Sequence, residues 1–107
     1  MTTDVRVVLV TAPSCETARQ IAREVVEAQL AACVNVVPGI CSIYRWEGRI
    51  CEDDEVLLVM KTTEPAVCAL TGKILSIHPY SVPEVLVLPV EAGSTPYLDW
   101  VRREAPG

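Results

Sequence analysis

Residues 33–63, CVNVVPGICSIYRWEGRICEDDEVLLVMKTT, decide the fold of this 107-residue chain. Val34, Val36, Val37, Ile40, Ile43, Tyr44 and Trp46 supply β-branched and aromatic residues along one arm. Val56, Leu57, Leu58, Val59 and Met60 supply the returning one. Glu47-Gly48 between Trp46 and Arg49 suits a two-residue hairpin turn. With about 14 residues per arm at about 3.3 Å each, the hairpin spans roughly 45 Å. A domain of this size is only about 30–35 Å across. The tip therefore overhangs, and a tip carrying Tyr44 and Trp46 calls for another chain to cover it. Pro38-Gly39 cannot sit in a regular ladder and predicts a bulge in the outgoing arm.

On the N-terminal side, the nearly continuous apolar run Val5 to Thr11 reads as a buried strand. Ser14 caps a helix whose apolar face is Ala18, Ile21, Ala22, Val25, Val26 and Gln29, running to about Leu30. Beyond the hairpin, Thr63-Glu64-Pro65 opens a second helix with Val67, Leu70, Ile74 and Ile77 as its buried stripe. His78 to Pro83 reads as an extended connector, Glu84 to Val90 as another buried strand, and Ser94 or Thr95 as the cap of a short last helix. The order β-α-β-β-α-β plus a terminal helix gives the α+β class. It is a ferredoxin-like sandwich with a long hairpin between its second and third strands and a short C-terminal helix, formed as one domain over residues 1–107.

Right-handed crossovers put both main helices on one face of a four-stranded sheet. Yet Val7-Val8-Leu9-Val10, Val56 to Met60 and Val85 to Leu88 show no polar alternation, so both faces of these strands are apolar. Two helices cover one face, and copies of the chain are expected to bury the other. A homo-oligomer follows from the sheet independently of the hairpin.

Composition narrows the function. Nine basic against 14 acidic residues give a net charge of −5 without a basic stripe, which excludes the counterion-replacing surface that nucleic acid requires. No apolar run reaches the 18 or so residues of a membrane span, and the start lacks a basic segment followed by an apolar one. A soluble, cytoplasmic protein is expected. The five cysteines, at 15, 33, 41, 51 and 68, form no C-x-x-C and no zinc-finger spacing, so reduced thiols are the reading. With a two-residue loop, Cys41 faces Asp54 and Cys51 faces Tyr44. The two thiols then project from opposite faces and share neither a bridge nor a ligand.

No standard catalytic motif occurs, and a non-enzyme is expected. An acylphosphatase-like hydrolase would share the fold, but it needs a phosphate-cradling loop after the first strand and a catalytic Asn. The single Asn here is Asn35. For a metal, thiolates and imidazole suit copper or zinc, which singles out His78 and Cys15, the latter in the first turn of a helix. Glu52 to Glu55 read as a solvated face. Tyr44, Arg45, Trp46, Arg49, Lys61, Glu64 and Tyr80 form the remaining constellation. They are either the anchors of an interface or the walls of an intersubunit cleft that binds a small anion or nucleotide.

Taken together, Thr11-Ala12-Pro13, Leu30 to Asn35, Pro38-Gly39, Ser42 to Gly48, Lys61 to Thr63, His78-Pro79-Tyr80, Val82-Pro83-Glu84, Leu88-Pro89 and Tyr97 to Trp100 resemble the CutA family of divalent-cation tolerance proteins. The resemblance runs from about Val5 to Val101. It implies a ferredoxin-like homotrimer, similar in plan to the PII signalling proteins, with the hairpin reaching onto a neighbour. It also implies a cytoplasmic role in tolerance of copper and other divalent metals without a settled enzymatic activity. Copper-binding members carry a Cys just before Thr-Ala-Pro and a pair of His just before Pro-Tyr. Here Val10 and Ile77 hold two of those positions, and only His78 matches. A symmetric trimer could gather three copies of His78 or recruit Cys15. The alternative implied by the PII likeness is a sensor of a small ligand bound between subunits.

Overall fold

The computed structural model describes residues 2–107. Its elements are β1 (Val5–Ala12), α1 (Cys15–Glu27), β2 (Cys33–Trp46), β3 (Arg49–Thr63), a 3-10 turn (Glu64–Ala66), α2 (Val67–Ile77), β4 (Leu86–Pro89) and α3 (Thr95–Glu104). The strands form one antiparallel sheet in the order β2-β3-β1-β4, the ferredoxin-like α+β plan. β2 and β4 are its two edges.

The hairpin takes the expected form. Glu47 and Gly48 both have positive φ, 50° and 77°, the type I′ geometry whose twist matches that of paired strands. The ladder slips between Val37 and Ile40, where Gly39 adopts a φ of 79°. Cys41 pairs with Asp54 and Tyr44 with Cys51. The longest dimension of the chain is 43 Å against 28 and 23 Å for the others, so the hairpin does overhang.

β1 pairs with β3 only from Val56 to Thr63. There the pleat sorts side chains into two layers. Val8, Val10, Ala12, Val56, Leu58 and Met60 face α1 and α2 and form the main core with Ala18, Ile21, Val25, Leu70 and Ile74, all buried. Val7, Leu9, Thr11, Leu57, Val59, Leu86 and Leu88 lie on the opposite face by register. A side chain of Leu size contributes about 2 kcal/mol when fully buried, so the first layer carries most of the stability of one chain.

Four expectations need correction. First, α1 ends at Glu27, not near Leu30. Gln29 takes a left-handed φ of 58°, and the Leu30 and Gln29 amides donate to the Val25 and Val26 carbonyls. This Schellman closure normally uses Gly, so Gln29 hides the stop. Second, the strand expected over Glu84–Val90 is confined to Leu86–Pro89. It is an exposed edge, with Leu86 53% and Leu88 44% accessible. Among the described residues no strand lies beyond β4, and Pro89 is tolerated because it sits at an edge. Third, the segment from His78 bends rather than running extended. Fourth, the second sheet face is not wholly bare. The α3 residues Leu98, Val101 and Ala105 pack on Val5 and Ala32, and the Thr63 hydroxyl donates to the Ala105 carbonyl. α3 thus covers one end of that face and leaves the Leu9, Leu57, Val59, Leu86 end uncovered by any helix.

The core assignment is testable. Leu58→Ala, at a fully buried central position, is expected to lower unfolding free energy by about 3 kcal/mol in chemical denaturation.

Candidate functional site

Between Arg49 and Glu55, β3 has β2 on one side and no strand on the other. The connector after α2 fills part of that vacancy and leaves a cavity of about 590 Å³. Thr11 at the end of β1, Ser42, Tyr44 and Trp46 from β2, Asp53 and Glu55 from β3, and Tyr80 and Glu84 from the connector line it. Register explains the selection. Ser42 pairs with Asp53 and Tyr44 with Cys51, so Ser42, Tyr44, Asp53 and Glu55 share one face of the hairpin.

His78 positions the connector. Its backbone N–H closes α2 on the Ile74 carbonyl, and the ring is buried. The Tyr80 N–H donates to Nδ1 at 3.1 Å, which leaves the proton on Nε2 to be donated to the Thr11 carbonyl at 2.7 Å. The His78 and Tyr80 rings lie 4.7 Å apart, and the Tyr80 hydroxyl donates to Glu55 at 2.7 Å. Across the cavity the Tyr44 hydroxyl donates to Asp53. Both phenols are thereby held protonated. The hydrogen bond to Asp53, ahead of burial, pushes Tyr44 up to about 12. Burial, ahead of the bond to Glu55, pushes Tyr80 higher still.

The structure divides the residues singled out from sequence. Tyr44, Trp46 and Tyr80 come together in the cavity. Arg45 falls on the other side of the β2 pleat, and Arg49 faces Trp46 without joining the lining. Lys61 and Glu64 lie at the far end of β3. There Lys61 bonds to Asn35 and Glu64 pairs with Arg6 at 3.3 Å. Ser42 was missed, while Asp53, Glu55 and Glu84 are carboxylates that the sequence offers without placing them in a cleft. The acidic run had been read as a uniform solvated face, whereas its alternate members turn into the cavity. The register that separated Cys41 from Cys51 also places Asp53 beside Tyr44, and that was the available signal.

These contents alter the chemistry expected of the cleft. It holds three carboxylates and no Lys, Arg or His, so its field repels a small anion or nucleotide. As for a metal, both ring nitrogens of His78 are already bonded, and Cys15 packs half-buried against the main core. Among the described residues no three His, Cys, Asp or Glu side chains are grouped to hold an ion. A thiolate–imidazole metal set therefore does not fit within one chain. All five cysteines are free thiols, with Cys41 and Cys68 exposed. Burial and then Glu52 and Asp54 push the Cys41 thiol up, which makes it a poor nucleophile.

The family model of the CutA1 divalent ion tolerance protein matches residues 6–104. The divalent-cation tolerance protein CutA of Thermus thermophilus is 54% identical over 96 residues, covering 90% of this chain and 93% of that protein. Human protein CutA is 56% identical over 94 residues, which are 88% of this chain but 52% of the human protein, so the chain spans about half of that relative. Among solved structures, the divalent cation tolerance protein of Thermus thermophilus superposes with a TM-score of 0.92 at 51% identity, over 94% of this chain and 98% of that one. CutA1 from Oryza sativa gives 0.93 at 43% identity, over 97% and 95%.

Tyr44, Tyr80 and Tyr97 are the three tyrosines of the chain, and all are shifted upward, Tyr97 chiefly by burial. An ultraviolet absorbance titration should therefore show the phenolate steps of the folded protein displaced above pH about 10, those of Tyr44 and Tyr80 the most. Asp53→Asn is expected to bring one step back toward that value. A raised phenol pKa stabilises the fold fully below its unfolded value. For Tyr44 that contribution is lost as pH rises from about 10 through about 12, so stability should fall across that window.

Proposed function

This chain belongs to the CutA1 divalent ion tolerance family, and on that premise we propose that it works as a homotrimeric, non-enzymatic tolerance protein, binding divalent metal such as copper weakly or acting through partners. The observation that carries this reading is the second face of the sheet. Leu9, Leu57, Val59, Leu86 and Leu88 form an apolar layer that no helix covers. A contiguous apolar layer that includes the exposed Leu86 and Leu88 is the kind of surface that marks a protein interface.

The sheet edges favour a ring. β2 and β4 lie at opposite margins, so pairing of β2 in one copy with β4 in the next is head-to-tail, a contact that makes a ring where its rotation closes. The overhanging hairpin, with Ile43 67% and Ile50 65% accessible, supplies the reach. A cytoplasmic setting is part of the proposal, supported by five free thiols. Among the described residues no helix is long and apolar enough to cross a membrane.

A metal would reach His78 only by displacing its bond to Thr11 or to Tyr80, so affinity there is low. Cys15, the second candidate, would have to leave its packing against the core. The cavity supports a second reading, a PII-like sensor that takes a small ligand where subunits meet. Its volume lies within the 300–1,000 Å³ or so of small-molecule sites.

Light scattering at micromolar concentration should give three times the 11.7 kDa of one chain. The pair Leu86→Glu and Leu88→Glu should drive the mass toward that of one chain, and a wild-type monomer would sink the assembly argument. Equilibrium dialysis against Cu²⁺ should show weak binding, reduced severalfold in His78→Ala. Equal binding by the two proteins removes His78 and leaves Cys15→Ser and partner proteins to be examined.

A further inference from the structure

We infer that the cavity between the hairpin and the connector binds a small organic cation carrying a primary ammonium or guanidinium group. This rests on the small-ligand reading above and names the class of that ligand.

Charge is the first ground. Asp53, Glu55 and Glu84 line the cavity without a basic residue among them, on a chain whose net charge is already −5. A ligand with formal negative charge would meet a like field, whereas a cation is drawn in. The second ground is the balance of donors and acceptors. The Tyr44 and Tyr80 hydroxyls spend their single protons on Asp53 and Glu55. What these two pairs present to the cavity is phenolic and carboxylate lone pairs, which favour a ligand that donates, although the hydroxyls of Thr11, Ser42 and Ser81 also line it. An ammonium offers three donors and a guanidinium five.

The third ground is the walls. Tyr44, Trp46 and Tyr80 set aromatic rings beside the carboxylates. Cations within about 6 Å of an aromatic face gain about 0.5–2 kcal/mol, with Trp the best partner. Ile43 and Val82 add apolar surface suited to an alkyl stem. A bare metal ion would use none of this. Ca²⁺ needs about six to eight oxygens at about 2.3–2.6 Å, and among the described residues no three donor side chains are gathered so closely. Charge spread around a cavity of about 590 Å³ fits a molecule of several heavy atoms better than an ion.

The test is calorimetric titration of the wild-type protein with putrescine, agmatine, pyrophosphate and Cu²⁺. Putrescine or agmatine should bind, with affinity falling as salt rises. Glu55→Gln keeps an acceptor for Tyr80 but removes the charge, and should weaken binding about tenfold, as expected for loss of one charged hydrogen bond. Glu84→Gln is an exposed change with no structural partner to lose, and should weaken binding a fewfold while leaving the fold intact.

The proposal is overturned if neither amine binds, or if amine binding ignores both substitutions. Pyrophosphate binding lost in the Glu55 and Glu84 variants, without amine binding, would overturn the cationic class while leaving the small-ligand reading in place. Cu²⁺ binding with that dependence would overturn the organic ligand and favour the metal reading. Light scattering on the same samples reports assembly separately, so a failed titration and a failed trimer are told apart.

Discussion

β3 pairs with β2 from Arg49 to Lys61, apart from the bulge, but with β1 only from Val56 onward, and this mismatch organises the molecule. From Leu57 to Lys61 the strand is central, flanked on both sides, and Leu57 to Met60 are apolar on both faces. From Arg49 to Glu55 it has one neighbour, and five of these seven residues are charged. One half makes a core on one face and an uncovered apolar layer on the other. The remaining half makes the overhanging hairpin and the wall of the cavity. Extending β1 by a few residues would pair that second half and fill the cavity's position with a strand.

Much of this was legible in the sequence because it follows from short-range chemistry. Glu47-Gly48 at the midpoint of two β-rich runs fixes the turn, and Pro38-Gly39 fixes the bulge. A period of two then sets every pairing between them, which is why Cys41 opposite Asp54 could be placed before any coordinates. The two-faced apolar pattern is matched by the layer that the helices leave uncovered on the second face.

Other features depended on tertiary context. Gln29 ends α1 in a conformation usually given to Gly, so its residue type carried no stop signal. β4 looked buried because Leu86, Val87 and Leu88 are apolar, and composition cannot separate burial within a chain from burial between chains. α3 was expected as a helix, but where it docks depends on the path of the chain from Val90. The acidic run Glu52 to Glu55 misled for a different reason. A run of like charges suggests a solvated strip, yet in a strand its alternate members occupy different surroundings. Asp53 and Glu55 receive phenol hydrogen bonds, while Glu52 and Asp54 stand beside Cys41 on the other side.

At the three positions where the family resemblance would put metal ligands, this chain holds Val10, Ile77 and His78. Val10 is fully buried in the core beneath α1 and α2, and Ile77 packs against the same core. An aliphatic side chain at each strengthens packing and removes a donor. His78 keeps its imidazole, but the ring ties the connector to the end of β1 through one bond and shapes it through the other. That tie sets Tyr80 against Glu55, and so the surviving histidine acts on the cavity wall rather than on a site of its own. Freeing an imidazole nitrogen for a metal would release the connector and loosen the carboxylate it holds in place. In this chain a tight single-subunit metal site at His78 and a well-formed cavity therefore compete for the same ring, and the hydrogen bonds present favour the cavity.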